Sequence, residues 1–214
     1  MLTKDGLARF GEIAASHCAR GTIPCVVAPA GTSESFHVEA HGTLALAGAS
    51  ARPDSLFRIS SVTKPITAAL TLALSAEGLL DLEEPADRLL PELAGRRVLR
   101  RPDGPLTDTV PAVRPVTVRD LLTLTPGFGA MPEMYEAEED WPVVAAAEKS
   151  PLATIGPPDP SRQPDPDAWL AELAALPLIT QPGERWACNT GAQLLGVLAS
   201  RATGLPGAEA YQSR

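Results

Sequence analysis

The strongest chemical signal in the chain is Ser61-Val62-Thr63-Lys64, a serine and a lysine three residues apart where a helical pattern begins. At that spacing the hydroxyl and the amine share one helix face, with Cβ atoms about 5–6 Å apart. A serine hydroxyl is a weak nucleophile until a neighbour removes its proton, and a desolvated amine can do so. Lysine serves as a base near neutrality only where burial or positive charge favours its neutral form. The helix start also favours the negative charge that develops during attack. The competing reading makes Ser60 or Ser61 a helix cap and lets Lys64 reach into solvent. Against it, the chain has 15 arginines and only 3 lysines, yet it places a lysine beside an apolar helix.

The elements that must position this pair are readable in outline. The segment MLTKDGLARFGEIAASHCARG reads as an amphipathic helix with Thr3 as cap, Leu7, Phe10, Ile13 and Ala14 as its stripe, and Gly21 as its stop. Residues 23–29 and 37–47 read as two strands joined by the turn-prone stretch GTSES. Residues 64–76 form an Ala/Leu helix. Thr117 begins a short helix with Asp120 completing a capping box and Pro126-Gly127 as the stop. DAWLAELAAL (167–176) is a helix entered from an Asp-rich cap, and a last helix runs from about Gly191 to Ala202 and ends at Gly204. RRVLRRPDGPLTDTVPAVRP, PEMYEAEEDWP and GPPDPSRQPDPD are expected to be long surface loops.

Composition excludes several classes. A net charge of −8 argues against nucleic acid as a partner. The longest apolar stretch, Pro65 to Leu74, is about half the ~20 residues a membrane span needs, and the first residues lack the order of a signal peptide. Aromatic residues make up 4% of the chain, so the core must be mainly aliphatic. Three cysteines (Cys18, Cys25, Cys188) form neither a disulfide framework nor a zinc site, and point to a cytoplasmic protein with reduced thiols. There is no H-E-x-x-H, CxxC pair or phosphate loop. The acidic run Glu136–Asp140 reads as a solvated loop face rather than a metal site, so no metal or cofactor is expected. Trp141, Trp169 and Trp186 read as core packing.

Four segments, SLFRISSVTKPITAA, EGLLDLEEPADRLLPEL, VTVRDLLTLTPGFG and QPGERWACNTGAQLLGVLASRATG, occur in the order they take in the serine β-lactamase-like family. The chain resembles that family, the group of class C β-lactamases, D-alanyl-D-alanine carboxypeptidases and related esterases, from about Ile23 to Pro206. The R-D-L-L-T, P-G-E-R-W and N-T-G strings are most similar to its esterase-type members. The resemblance implies a serine hydrolase that cleaves a small-molecule ester, amide or β-lactam through an acyl-enzyme on Ser61, with Lys64 as base. It implies that Asn189 orients the amine and a substrate carbonyl; the alternative from the residues alone is a turn residue that opens the last helix. The Ser61 backbone N–H would be one oxyanion donor.

Two departures from the family pattern matter. The family's second motif carries a tyrosine, where this chain has Ala187 and Cys188. A thiol titrates near ~8.5 but is too short to reach a phenol's place, so Cys188 stands either as that tyrosine's replacement or as a buried, inert residue. The only tyrosines, Tyr135 and Tyr211, lie outside the motif. The third motif, Lys-Thr-Gly or His-x-Gly, is missing, since all three histidines (His17, His37, His41) lie near the N-terminus.

The expectation is therefore an α/β, β-lactamase/transpeptidase-like fold over residues 1–214, reading as the N-terminal part of a longer enzyme. Residues 1–59 would supply a helix and two sheet strands, and 60–214 a mainly helical lobe. An uncovered sheet edge would favour self-association. The alternative function is a catalytically impaired remnant that acts, if at all, as a binding module.

Overall fold

The computed structural model describes residues 2–45, 47–150, 152 and 164–212. Two compact units divide the chain, Met1–Ile59 and Ser60–Arg214.

In the first unit, helix α1 (Lys4–Ala19) opens on Thr3, whose hydroxyl accepts from the Gly6 amide at 3.1 Å. Ile13 is half exposed, so the buried stripe of α1 is narrower than the sequence suggested, with Gly11 and Ala14 at its centre. Strands β1 (Cys25–Gly31) and β2 (Phe36–Gly42) pair antiparallel, from Cys25 opposite Gly42 to Gly31 opposite Phe36. The second strand ends earlier than 47 because the chain turns back after Gly42, bridging Thr43 to Ser50. On β2, Glu39 takes His37 Nε2 at 2.6 Å on one oxygen and His41 Nε2 at 3.0 Å on the other. Residues 37, 39 and 41 share one strand face by the two-residue repeat.

The second unit is mainly helical. A single 3₁₀ turn at Ser60–Val62 leads into α2 (Thr63–Ala76). The strands β3 (Arg97–Leu99) and β4 (Thr109–Pro111) form a small antiparallel pair. Helices α3 (Val118–Leu122), α4 (Pro132–Glu136), α5 (Pro142–Lys149), α6 (Pro166–Ala175), α7 (Thr190–Thr203) and α8 (Gly207–Gln212) follow. Their core is aliphatic apart from Trp169 and Phe128, with Leu74, Leu90, Leu121, Leu170 and Leu198 fully buried. Trp169 meets the core as expected, and its indole N–H donates to the Leu152 carbonyl at 2.8 Å. Trp186 does not; it is 53% exposed. The fold is α/β, with helices carrying the core and two small antiparallel sheets beside them.

Two segments expected to be surface loops contain structure. Residues 97–99 and 109–111 form strands because Leu99 and Arg97 exchange backbone hydrogen bonds with Leu178, 2.8 Å each, which buries Val98 and Leu99. Residues 132–149 contain α4 and α5, each begun by a proline at its first position, where the missing N–H costs nothing. Helix α8 was not expected either. Of the third stretch, GPPDPSRQPDPD, residues 156–163 lie outside those described.

The short helix α3 depends on one carboxylate. Asp120 receives the Thr117 amide at 2.9 Å while Thr117 accepts the Asp120 amide at 3.2 Å, which completes the capping box. Helix α3 ends at Leu122, before Pro126. The same carboxylate takes a two-pronged pair from Arg114. Burial would raise the Asp120 carboxyl, but the Arg114 guanidinium and the Thr117 amide outweigh it and hold it below the usual range. A carboxyl depressed in the folded state stabilises above its unfolded pKa, about 3.9, and loses that contribution as pH falls through the folded value. Asp120→Asn should therefore cost about 1–3 kcal/mol at pH 7 and lessen the loss of stability below about pH 4. Urea denaturation of both proteins at pH 7 and pH 3 measures the two effects.

Candidate active site

Lys64 Nζ lies 2.7 Å from Ser61 Oγ. Ser61 is exposed and Lys64 half-buried, and the contact between their two side chains is open to solvent. The capping alternative does not hold: α2 opens at Val62 with no side-chain cap hydrogen bond, and Lys64 turns to Ser61 instead of extending freely. The first-turn amides of α2 are thus left uncovered by any capping side chain, and the helix start attracts anions. Ser60, just before, has φ +47°, a left-handed conformation that non-glycine residues seldom adopt.

Asn189 occupies the residue before α7, and its side chain makes no cap hydrogen bond either. Its backbone has φ 75° and ψ −62°, and the Thr190 amide donates to the Cys188 carbonyl at 3.1 Å. That is the rare, strained form of γ-turn. A residue held there costs on the order of 1–3 kcal/mol unless its surroundings impose it. They do so here: Cys188 exchanges backbone hydrogen bonds with Ala130 at 3.1 and 2.7 Å, while the Asn189 carbonyl starts α7 by accepting from Ala192 and Gln193. Gly129 fits this crossing because a Cβ there would come within 2.5 Å of the Cys188 carbonyl oxygen. The Cys188 thiol is half-buried rather than buried and donates to Asn189 Oδ1 at 3.3 Å.

The segment leading to Asn189 is braced by the α3 carboxylate. Gly183 has φ +83°, and a Cβ on it would strike the Arg114 guanidinium, which is itself held on Asp120. The Gly183 amide donates to the Thr125 carbonyl at 2.8 Å and the Ala187 amide to Leu124 at 2.8 Å. The R-D-L-L-T and P-G-E-R-W strings are therefore two sides of one contact. Arg185 adds an ion pair to Glu133 of α4.

Helices α2 and α7 pack together. Leu79, just beyond α2, accepts from Arg88, and Leu89 accepts from Arg201 in the last turn of α7. Thr67 of α2 lies 2.7 Å from the Tyr211 hydroxyl, and a Cβ added at Gly196 of α7 would be 3.9 Å from the same oxygen. The structure joins Ser61 to Lys64 and Cys188 to Asn189.

These features coincide with a match to the β-lactamase family model over residues 18–214, and the chain belongs to that family. An uncharacterised protein of Mycobacterium tuberculosis is 39% identical over 160 residues, covering 75% of this chain and 36% of that protein. Esterase EstB of Burkholderia gladioli is 37% identical over 167 residues, covering 78% of this chain and 37% of the esterase. Among solved structures, EstCE1, a hydrolase with promiscuous acyltransferase activity, superposes with a TM-score of 0.75 at 18% identity, over 97% of this chain and 50% of that one. The chain spans about a third of the length of the curated relatives it matches.

Glycine adopts positive φ without penalty, so the strain at Asn189 is separable from its side chain. Asn189→Gly should leave stability unchanged or raise it by up to about 1 kcal/mol, while Asn189→Ala should lower it. Thermal unfolding of the two variants tests this; a large loss in Asn189→Gly would mean that the amide side chain holds the turn.

Proposed function

We propose that the protein is a serine hydrolase acting on small esters, with Ser61 as nucleophile and Lys64 as the base that activates it. The 2.7 Å contact between Lys64 Nζ and Ser61 Oγ carries this reading, and the likeness to esterase EstB supports an ester as the substrate. With Lys64 neutral, Ser61 Oγ attacks the ester carbonyl and its proton passes to Nζ. The resulting oxyanion is stabilised by the Ser61 amide at the uncapped start of α2. The ester C–O bond then breaks, the alcohol leaves with the proton returned from Lys64, and an acyl group remains on Ser61 Oγ. Water releases it in the second half-reaction. Asn189, matched to the asparagine of the family's second motif, orients the substrate carbonyl and the amine. Cys188 takes no proton-transfer role, because its thiol is donated to Asn189 Oδ1.

The three cysteines are unpaired, which supports a reducing, cytoplasmic setting. Among the described residues no helix is long and apolar enough to cross a membrane. The β1–β2 pair is two-stranded, and we retain self-association through its outer edges as a further expectation.

A fluorophosphonate probe and p-nitrophenyl butyrate test the assignment. Slow acylation of Ser61, close to one equivalent, is expected with the ester, and little hydrolysis of β-lactams. Ser61→Ala should abolish labelling, and Lys64→Ala should slow it by about 10²–10⁴-fold. Cys188→Ala should leave the rate essentially unchanged. Labelling that survives Ser61→Ala would remove the nucleophile assignment, and loss of activity in Cys188→Ala would give the thiol a catalytic part.

A further inference from the structure

Tyr211, outside every motif named above, is joined to the helix that bears the serine. Its hydroxyl lies 2.7 Å from Thr67 Oγ1, and Thr67 is only 3% exposed. Thr67 already donates its proton to the Thr63 carbonyl at 3.1 Å, so Tyr211 is the donor and Thr67 the acceptor. Thr63 is the first residue of α2 and lies between Ser61 and Lys64. The chain of hydrogen bonds therefore runs from α8 through Thr67 to the turn that holds the reactive pair. A threonine bonded back to the preceding turn tends to bend its helix, and a donor on its oxygen fixes how it does so. The same phenol lies beside α7, where a Cβ added at Gly196 would be 3.9 Å from its oxygen.

One side chain of α8 thus bonds α2 and packs beside α7. We propose that Tyr211 is a positioning residue, fixing through Thr67 the first turn of α2 so that Ser61 and Lys64 keep a reactive geometry. The inference rests on the reading of Ser61 as the nucleophile. Tyr211 reaches the substrate through neither charge nor proton transfer. Its effect is geometric, and displacements near 1 Å can cost up to about 10²-fold in rate.

The test uses Tyr211→Phe, which keeps the ring and its packing and removes only the hydroxyl. The maximal acylation rate constant with p-nitrophenyl butyrate should fall about three- to tenfold, with the half-saturating ester concentration unchanged. Thr67→Val should do the same, Thr67→Ser should restore a near wild-type rate, and Tyr211→Phe/Thr67→Val should be no slower than either single variant. Amide hydrogen exchange supplies a readout independent of activity: the Thr67 and Ala68 amides, which close the first turn of α2, should exchange faster by a similar factor in Tyr211→Phe. If the wild-type chain is not acylated at all, the hydrolase reading fails and the exchange measurement decides the role of Tyr211 alone. The proposal is overturned if Tyr211→Phe changes neither rate nor exchange. It is equally overturned if exchange quickens throughout α3 and α7 as well, since the residue would then serve general stability.

Discussion

A lysine donates to a serine hydroxyl at the mouth of a helix whose own cap position, Val62, carries no polar side chain. Helix starts normally satisfy their free N–H groups with a Ser, Thr, Asp or Asn side chain. Both α3 and α6 do so, through Thr117 and Asp165. Neither α2 nor α7 does, although Ser61 and Asn189 stand beside their first turns. Helices α4 and α5 also lack a side-chain cap, but only at α2 and α7 is a non-glycine residue, Ser60 or Asn189, held at positive φ at or just before the helix start. Strain and unused donors at functional positions persist only where surrounding packing imposes them.

That packing can be followed residue by residue. The Arg114–Asp120 pair stabilises α3 and, through the lack of room at Gly183, sets the approach of the chain to Cys188 and Asn189. Gly191, in the first turn of α7, lies against the Leu121 carbonyl so closely that a Cβ would come within 2.6 Å. The far ends of α2 and α7 are held by arginines that reach carbonyls across the unit, Arg88 to Leu79 and Arg201 to Leu89, while Arg201 also pairs with Glu92 and Asp167. Arg96 is spent the same way: buried, and lowered by that burial to about 10, it donates to the Leu173, Ala174 and Leu176 carbonyls at the end of α6. Arginine's rigid fork of donors suits such multiple contacts better than an ammonium does. This accounts for a chain rich in arginine that keeps a lysine at position 64, where a single movable proton is what the chemistry needs.

What the sequence determined by itself was local. The S-x-x-K spacing places Ser61 and Lys64 on one helix face by helix geometry alone, and the capping box at Thr117 and Asp120 closes within four residues. Four ordered motifs carry the family assignment and the α/β fold. The strands at Arg97–Leu99 and Thr109–Pro111 were not legible, because arginines and prolines surround them and their burial depends on Leu178, nearly eighty residues away. The prolines that open α4 and α5 were a readable signal, hidden by the acidic residues between them. Only the tertiary structure decided that Asn189 opens α7 from a strained turn and without a side-chain cap bond, since it follows directly on the Ala130–Cys188 crossing. It alone joined Tyr211 to Thr67, a contact between residues with no motif or periodicity in common. Hydrogen bonds that close within one turn are written in spacing; those between distant elements depend on which surfaces the folded core brings together.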